Sequence, residues 1–151
     1  MASRSTLLSL SSHVNKVAGF GPPLLDEHCD PKAKRRKPLD AATRRRLHRQ
    51  VPEWRLTAKS LARQWDLRDF DQAFSLVRRI ARLAKAEEHH PDIHLESYKR
   101  LRMVLSTHAV GGLTRNDFIL AAHIDRAAQS FERPKPRRRM PIDIVPMPFM
   151  P

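Results

Sequence analysis

The chain has 151 residues, 40% of them hydrophobic, which is enough for one domain with a modest core and too little for two. Its 29 Lys and Arg against 16 Asp and Glu give a formal charge of +13, split as +6 over residues 1–53, +4 over 54–131 and +3 over 132–151, so the excess lies mostly toward the ends. The single cysteine, Cys29, excludes an internal disulfide, a zinc ribbon and a dithiol redox pair, and no run approaches the roughly eighteen apolar residues of a membrane-spanning helix.

From Met1 to Leu25 the chain carries Arg4, Lys16, five serines and no acid. That is the composition of an organelle transit peptide and equally of a disordered leader. The expected location is a mitochondrion or another organelle matrix, with the cytoplasm as the alternative. Between Pro31 and Pro38 stand Lys32, Lys34, Arg35, Arg36 and Lys37. Like charges at this density repel one another and pack no core, so the segment reads as a linker closing an N-terminal extension over residues 1–38.

Leu39 to Gln50 offers Asp40 as an N-cap for a short basic helix with Leu47 on one face. Short strands follow between Trp54 and Trp65, where Leu61, Arg63 and Trp65 alternate with Ala62 and Gln64. Asp69 caps the next helix, with Gln72 completing a capping box and Phe70, Phe74, Val77, Ala81 and Ala84 as its apolar stripe, ending near Glu88. His89-His90-Pro91 must leave that helix, because Pro91 disfavours helical geometry at the residue before it.

Leu101, Met103, Leu105 and Thr107 alternate with Arg102, Val104 and Ser106, a strand that ends at His108. Gly111-Gly112 makes a turn, and Thr114 with Asp117 forms a capping box for a helix bearing Phe118, Ala121, Ile124, Ala128 and Phe131. Residues 132–151, rich in proline and arginine, read as an extended arm with polyproline character. The string of helix, two strands, helix, two strands, helix predicts an α+β core over residues 39–131, with a four-stranded, mostly antiparallel sheet and about three helices packed on one face.

The chain contains eight histidines, and His89, His90, His94 and His108 fall within twenty residues. Imidazole titrates near neutrality, so a protonated ring beside a neutral one can run acid and base chemistry together. Neutral imidazoles also ligate zinc, and solvated or hydrogen-bonded structural rings are a third reading. Clustering alone leaves the three open.

The residues Glu88-His89-His90-Pro91, Tyr98, Leu105-Ser106-Thr107-His108, Gly111-Gly112-Leu113-Thr114 and Asn116-Asp117 resemble the signature of the pterin-4a-carbinolamine dehydratases. Trp54 and the helix start from Asp69-Phe70 to Ala73-Phe74 are similar to that family as well, and the resemblance covers roughly residues 39–131. It implies that His89, His90 and His108 line a pterin site, with His89 and His108 as the proton-transfer pair and His90 positioning the ring. It further implies that Asp117 supports the site, that Pro91 and Trp54 lie at its edge, and that the reaction needs neither metal nor organic cofactor. Two plainer readings stand beside these: Asp117 as the third residue of its helix, capping only, and Trp54 as core or subunit packing. His13, His28, His48, His94 and His123 have no counterpart and read as structural or exposed.

Asp92 to Ser97 before Tyr98 resembles the longer plant and protist form, without the Trp that follows His-Pro in the animal form, and Glu53-Trp54 replaces the usual Gly-Trp. Pocket edges are therefore expected to differ. The implied activity is dehydration of a 4a-hydroxytetrahydropterin by a homodimer or tetramer. The alternative is a structural or assembly subunit of an RNA-rich organellar complex such as a ribosome, whose rRNA phosphates or ribosomal proteins the basic arms would meet. A third reading, implied by animal relatives, is a module that stabilises dimers of a homeodomain transcription factor.

Overall fold

The computed structural model describes residues 22–132. The leader expected up to Leu25 and the arm expected from residue 132 therefore lie almost wholly outside the described residues.

The strands β1 (Arg55–Leu56), β2 (Leu61–Asp66), β3 (Asp92–Glu96) and β4 (Arg100–Leu105) form one sheet in the order β1-β2-β4-β3, every pairing antiparallel. Register follows the period-two pattern. Leu61 faces Leu105, Arg63 faces Met103 and Trp65 faces Leu101, so one face collects apolar side chains that are almost wholly buried. The opposite face carries Gln64, Asp66, Arg100, Arg102 and Glu96, with ion pairs Arg100–Asp66 and Arg102–Glu96. Arg63 is tolerated on the apolar face because its guanidinium pairs with Asp125 and Glu132 and lies 4.8 Å from the Trp65 ring centre.

Helix α1 (Ala41–His48) starts where expected, Asp40 Oδ1 accepting the Thr43 N–H at 2.9 Å, and buries Leu47. Helix α2 (Phe70–Ala86) is capped by Asp69, whose Oδ1 accepts the Gln72 N–H at 2.8 Å. The returning bond comes one residue early, since Gln72 Oε1 accepts from the Arg68 N–H rather than from Asp69. The buried stripe of α2 is Ala73, Leu76, Ile80 and Ala84, not the one led by Phe70 and Phe74. The two phenylalanines, one turn apart, stack on each other at 5.8 Å and stay half-exposed. Small and branched residues take the core side because they allow close packing against helix α3 (Arg115–Ala128).

The first two turns of α3 are buried nearly all round, from Asn116 to Ala122. A helix lying on one sheet would bury one stripe, and the difference is made by residues 22–38. These run across the outer side of α3 through two 3-10 turns, Leu24–Asp26 and Pro31–Arg35. Leu24 is 1% exposed and Ala33 5%. Asp30 and Asn116 exchange two hydrogen bonds of 2.9 Å, and Arg115 grips Glu27 with two of its guanidinium nitrogens, both at 2.6 Å. The segment read as a linker is thus a packed strap. Its charges point outward while its backbone and alternate side chains are used.

The strap is also tied to the end of α2. Glu87 accepts from the Cys29 N–H and meets His28 Nδ1, both at 2.8 Å, with His123 Nδ1 at 3.9 Å. Burial would raise the Glu87 carboxyl, but the Cys29 N–H and the His28 contact outweigh it and hold the group below the usual carboxylate range. Burial, with the Glu87 charge beside it, pushes the Cys29 thiol up to about 12, which makes it an inert neutral group near pH 7.

Two outcomes check this packing. Leu76→Ala should cost about 2–5 kcal/mol in denaturant unfolding and Phe74→Ala less than about 1.5 kcal/mol, the reverse of what the Phe70/Phe74 stripe implies. A carboxylate with a depressed folded-state pKa stabilises the fold above its unfolded value of about 4.3 and loses that contribution as pH falls through the folded value. Glu87→Gln should therefore destabilise by about 1–2 kcal/mol at pH 7, and the gap from the parent protein should close as unfolding is followed below about pH 4.

Candidate active site

Helix α2 ends in a Schellman turn. The Glu88 N–H donates to the Lys85 carbonyl and the His89 N–H to the Ala84 carbonyl at 3.1 Å, with Glu88 at φ +50°. Glycine is the usual residue there, and a glutamate in the left-handed region carries a cost of roughly 1–2 kcal/mol. The turn reverses the chain within two residues and fixes the backbone of His89, so the exit is built before Pro91 is reached. The His89 side chain points into the protein, 6% exposed, whereas His90 is exposed.

The second wall follows β4. Thr107 and Gly112 form an isolated antiparallel bridge, the Thr107 N–H donating to the Gly112 carbonyl at 2.9 Å. Between them His108–Val110 make a single 3-10 turn closed by Gly111 at φ +64°. His108 sits on this tight loop with its side chain 81% exposed and Nε2 3.9 Å from Asp92 Oδ2.

Asp117 joins the two walls. It is wholly buried at the third position of α3. Its Oδ1 meets His89 Nε2 at 2.8 Å, and its Oδ2 accepts from Thr107 Oγ1 and from the Thr114 N–H, both at 2.8 Å. Asp117 thus caps its helix through one oxygen and meets His89 with the other. A carboxylate only accepts, so His89 Nε2 donates, and the neutral ring keeps its lone pair on Nδ1. Asp117 therefore selects the tautomer and would stabilise the imidazolium once Nδ1 takes a proton.

His89, His90 and His108 line one cavity of about 310 Å³, together with Glu88, Ser106, Thr107, Ala109 and Lys34. The volume suits a small bicyclic heterocycle. Trp54 and Pro91 do not line it. The Trp54 indole is 1% exposed in the core, donates to Asp125 Oδ1 at 2.7 Å and packs edge-on against Trp65. Tyr98 lies in the β3–β4 turn, 61% exposed at φ +55°, and His94 is exposed on β3 opposite Arg102. Among the described residues no group of three His, Cys, Asp or Glu side chains is placed to hold a metal ion.

Of the five lining groups that sequence reasoning did not place there, Thr107 and Lys34 are the instructive ones. Thr107 had a signal, since it stands inside the Ser-Thr-His run and its strand parity points it inward. Lys34 had none, because a lysine in a basic run reads as solvated.

Residues 37–127 match the family model described as pterin 4 alpha carbinolamine dehydratase. A relative from Halorhodospira halophila, named "Putative pterin-4-alpha-carbinolamine dehydratase", is 40% identical over 104 residues, which is 68% of this chain and 94% of that protein. "Pterin-4-alpha-carbinolamine dehydratase 2, mitochondrial" of Arabidopsis thaliana is 45% identical over 65 residues, 43% of this chain and 35% of that longer protein. The crystal structure of a "transcriptional coactivator/pterin dehydratase" from Brucella melitensis shares the fold, with a TM-score of 0.57 at 24% identity over 61% of this chain and 99% of that one. With the family model matching more than half of its residues, the chain belongs to the pterin-4a-carbinolamine dehydratase family.

Proposed function

We propose that the protein dehydrates a 4a-hydroxytetrahydropterin to the quinonoid dihydropterin by imidazole acid and base catalysis. The observation that carries this reading is the shared cavity of His89, His90 and His108, with the first ring backed by buried Asp117. In the reaction the C4a–O bond breaks and its oxygen leaves as water after taking a proton. The N5 proton goes to a base, and the N5 electron pair closes the C4a=N5 double bond. Hydroxide is a poor leaving group, so the step needs an acid at the 4a-oxygen and a base at N5 together.

His89 suits the base, since Asp117 on Nε2 leaves Nδ1 free to accept and offsets the charge that results. His108, exposed on its short turn, suits the acid, because solvent access lets it exchange its proton between turnovers. His90 would hold the ring between them. The water produced needs no co-reactant, and the two imidazoles return to their starting states by exchanging one proton through solvent.

A homodimer or tetramer belongs to this reading. Phe70 and Phe74 present a half-exposed apolar pair on α2, and β3 is an edge strand carrying partly exposed Ile93. A second reading, a subunit of an RNA-rich assembly, has the +6 and +3 excesses of residues 1–53 and 132–151 in its favour.

Among the described residues the His108 side chain makes only one long polar contact, so His108→Ala should change stability by no more than about 0.5 kcal/mol. The same substitution should lower kcat about hundredfold to ten-thousandfold in a spectroscopic assay of quinonoid product. Absence of turnover by the intact protein rules the enzymatic reading out, and a fully active variant rules out His108 as the acid. Sedimentation of the purified protein should find a dimer or tetramer; a monomer that instead co-sediments with ribosomal particles, and stops doing so without residues 132–151, favours the assembly reading.

A further inference from the structure

Lys34 stands outside the residues matched to the family, which begin at position 37, yet it forms part of the histidine cavity. Its place there is imposed by the strap. At one end Asp30 is locked to Asn116 by the reciprocal pair of 2.9 Å bonds and caps the 3-10 turn through the Lys32 N–H. At the other end the Leu39 N–H donates to the Leu113 carbonyl at 2.8 Å, and Pro38 packs on Gly112, where an added Cβ would come within 3.0 Å of the proline Cβ. Both anchors are on the segment that leads into α3 and carries Asp117. The residues between them cross beside the His108–Val110 turn, with buried Ala33 as the inward contact and Lys34 next to it.

The ammonium is uncommitted. Arg36 on the same turn pairs with Asp30, but no hydrogen bond or ion pair holds Lys34 among the described residues. Proton transfer at C4a and N5 has no use for it, since a positive charge repels each imidazolium the reaction forms. Lys34 is exposed, and an unpaired cation beside a cavity does have a use if the ligand brings an anion. A pterin ring is neutral, so that anion would stand on the ring substituent.

We propose that Lys34 is a specificity-determining residue of the histidine cavity and recognises an anionic substituent, phosphate or carboxylate, on the pterin it admits. The inference rests on the pterin reading above and adds the class of substrate. Both anions accept charge-assisted hydrogen bonds from an ammonium.

Equilibrium binding separates the two readings without requiring turnover. Fluorescence titrations would compare neutral 6-hydroxymethylpterin, its phosphate ester and 6-carboxypterin on the full chain, Lys34→Gln and Lys34→Arg. The intact protein should bind the two anionic probes about tenfold more tightly than the neutral one, with the preference shrinking as salt is raised. Lys34→Gln should abolish the preference while leaving the neutral probe's affinity unchanged, and Lys34→Arg should keep it. A preference for phosphate alone assigns the phosphate ester as the substrate class; for carboxylate alone, the acid. Equal affinity for all three probes, a preference that survives in Lys34→Gln, or an equal loss for all three probes overturns the inference and leaves the pterin site standing. If none of the probes binds, both fall.

Discussion

One buried carboxylate organises this molecule. Asp117 has no contact with water, and an ionised carboxyl in that position is tolerable only with donors on both oxygens. It finds them on three separate elements: the His89 ring beyond α2, the Thr107 hydroxyl beyond β4, and the Thr114 N–H at the start of its own helix. Removing any one donor leaves charge partly unsatisfied in the interior. The elements that carry the cavity walls are therefore held together by the same requirement that keeps Asp117 hydrogen-bonded, and stability and site geometry are one problem.

Much of this could be read from local pattern. The Asp40, Asp69 and Thr114/Asp117 caps, the inward parity of Leu101, Met103 and Leu105 and the exit of the chain at His89 are dictated within a few residues of sequence. The antiparallel sheet with helices on one face follows from their order. What could not be read depends on contacts between distant residues. The outer bond of Asp117 reaches back 28 positions to His89, and the bonds between Asp30 and Asn116 span 86. In α2 two apolar stripes adjoin, and bulk favours Phe70 and Phe74 on hydrophobicity alone. The packing distance to α3 decides for Ala73, Leu76 and Ile80 instead. Trp54 went to the core for a similar reason, its N–H finding Asp125 there.

The strap shows how composition misleads when backbone and side chain have different fates. Lys32 to Lys37 could not be buried as charges, and they are not. Their peptide groups, together with Ala33, Asp30 and Pro38, nevertheless lie against α3 and the turn before it. The family match begins at residue 37, and in this chain the residues just before it close the outer side of α3 and reach the edge of the cavity.

Cys29 offers a view of that closure. Its sulfur lies 3.6 Å from the Asn116 carbonyl and its N–H is held by Glu87, so the thiol is reluctant to ionise only while the segment around it is seated. Alkylating reagents attack the thiolate, which is scarce under those conditions at neutral pH. The chain's lone sulfhydryl thus serves as a built-in clock, its modification rate counting the moments when the N-terminal cover lifts away.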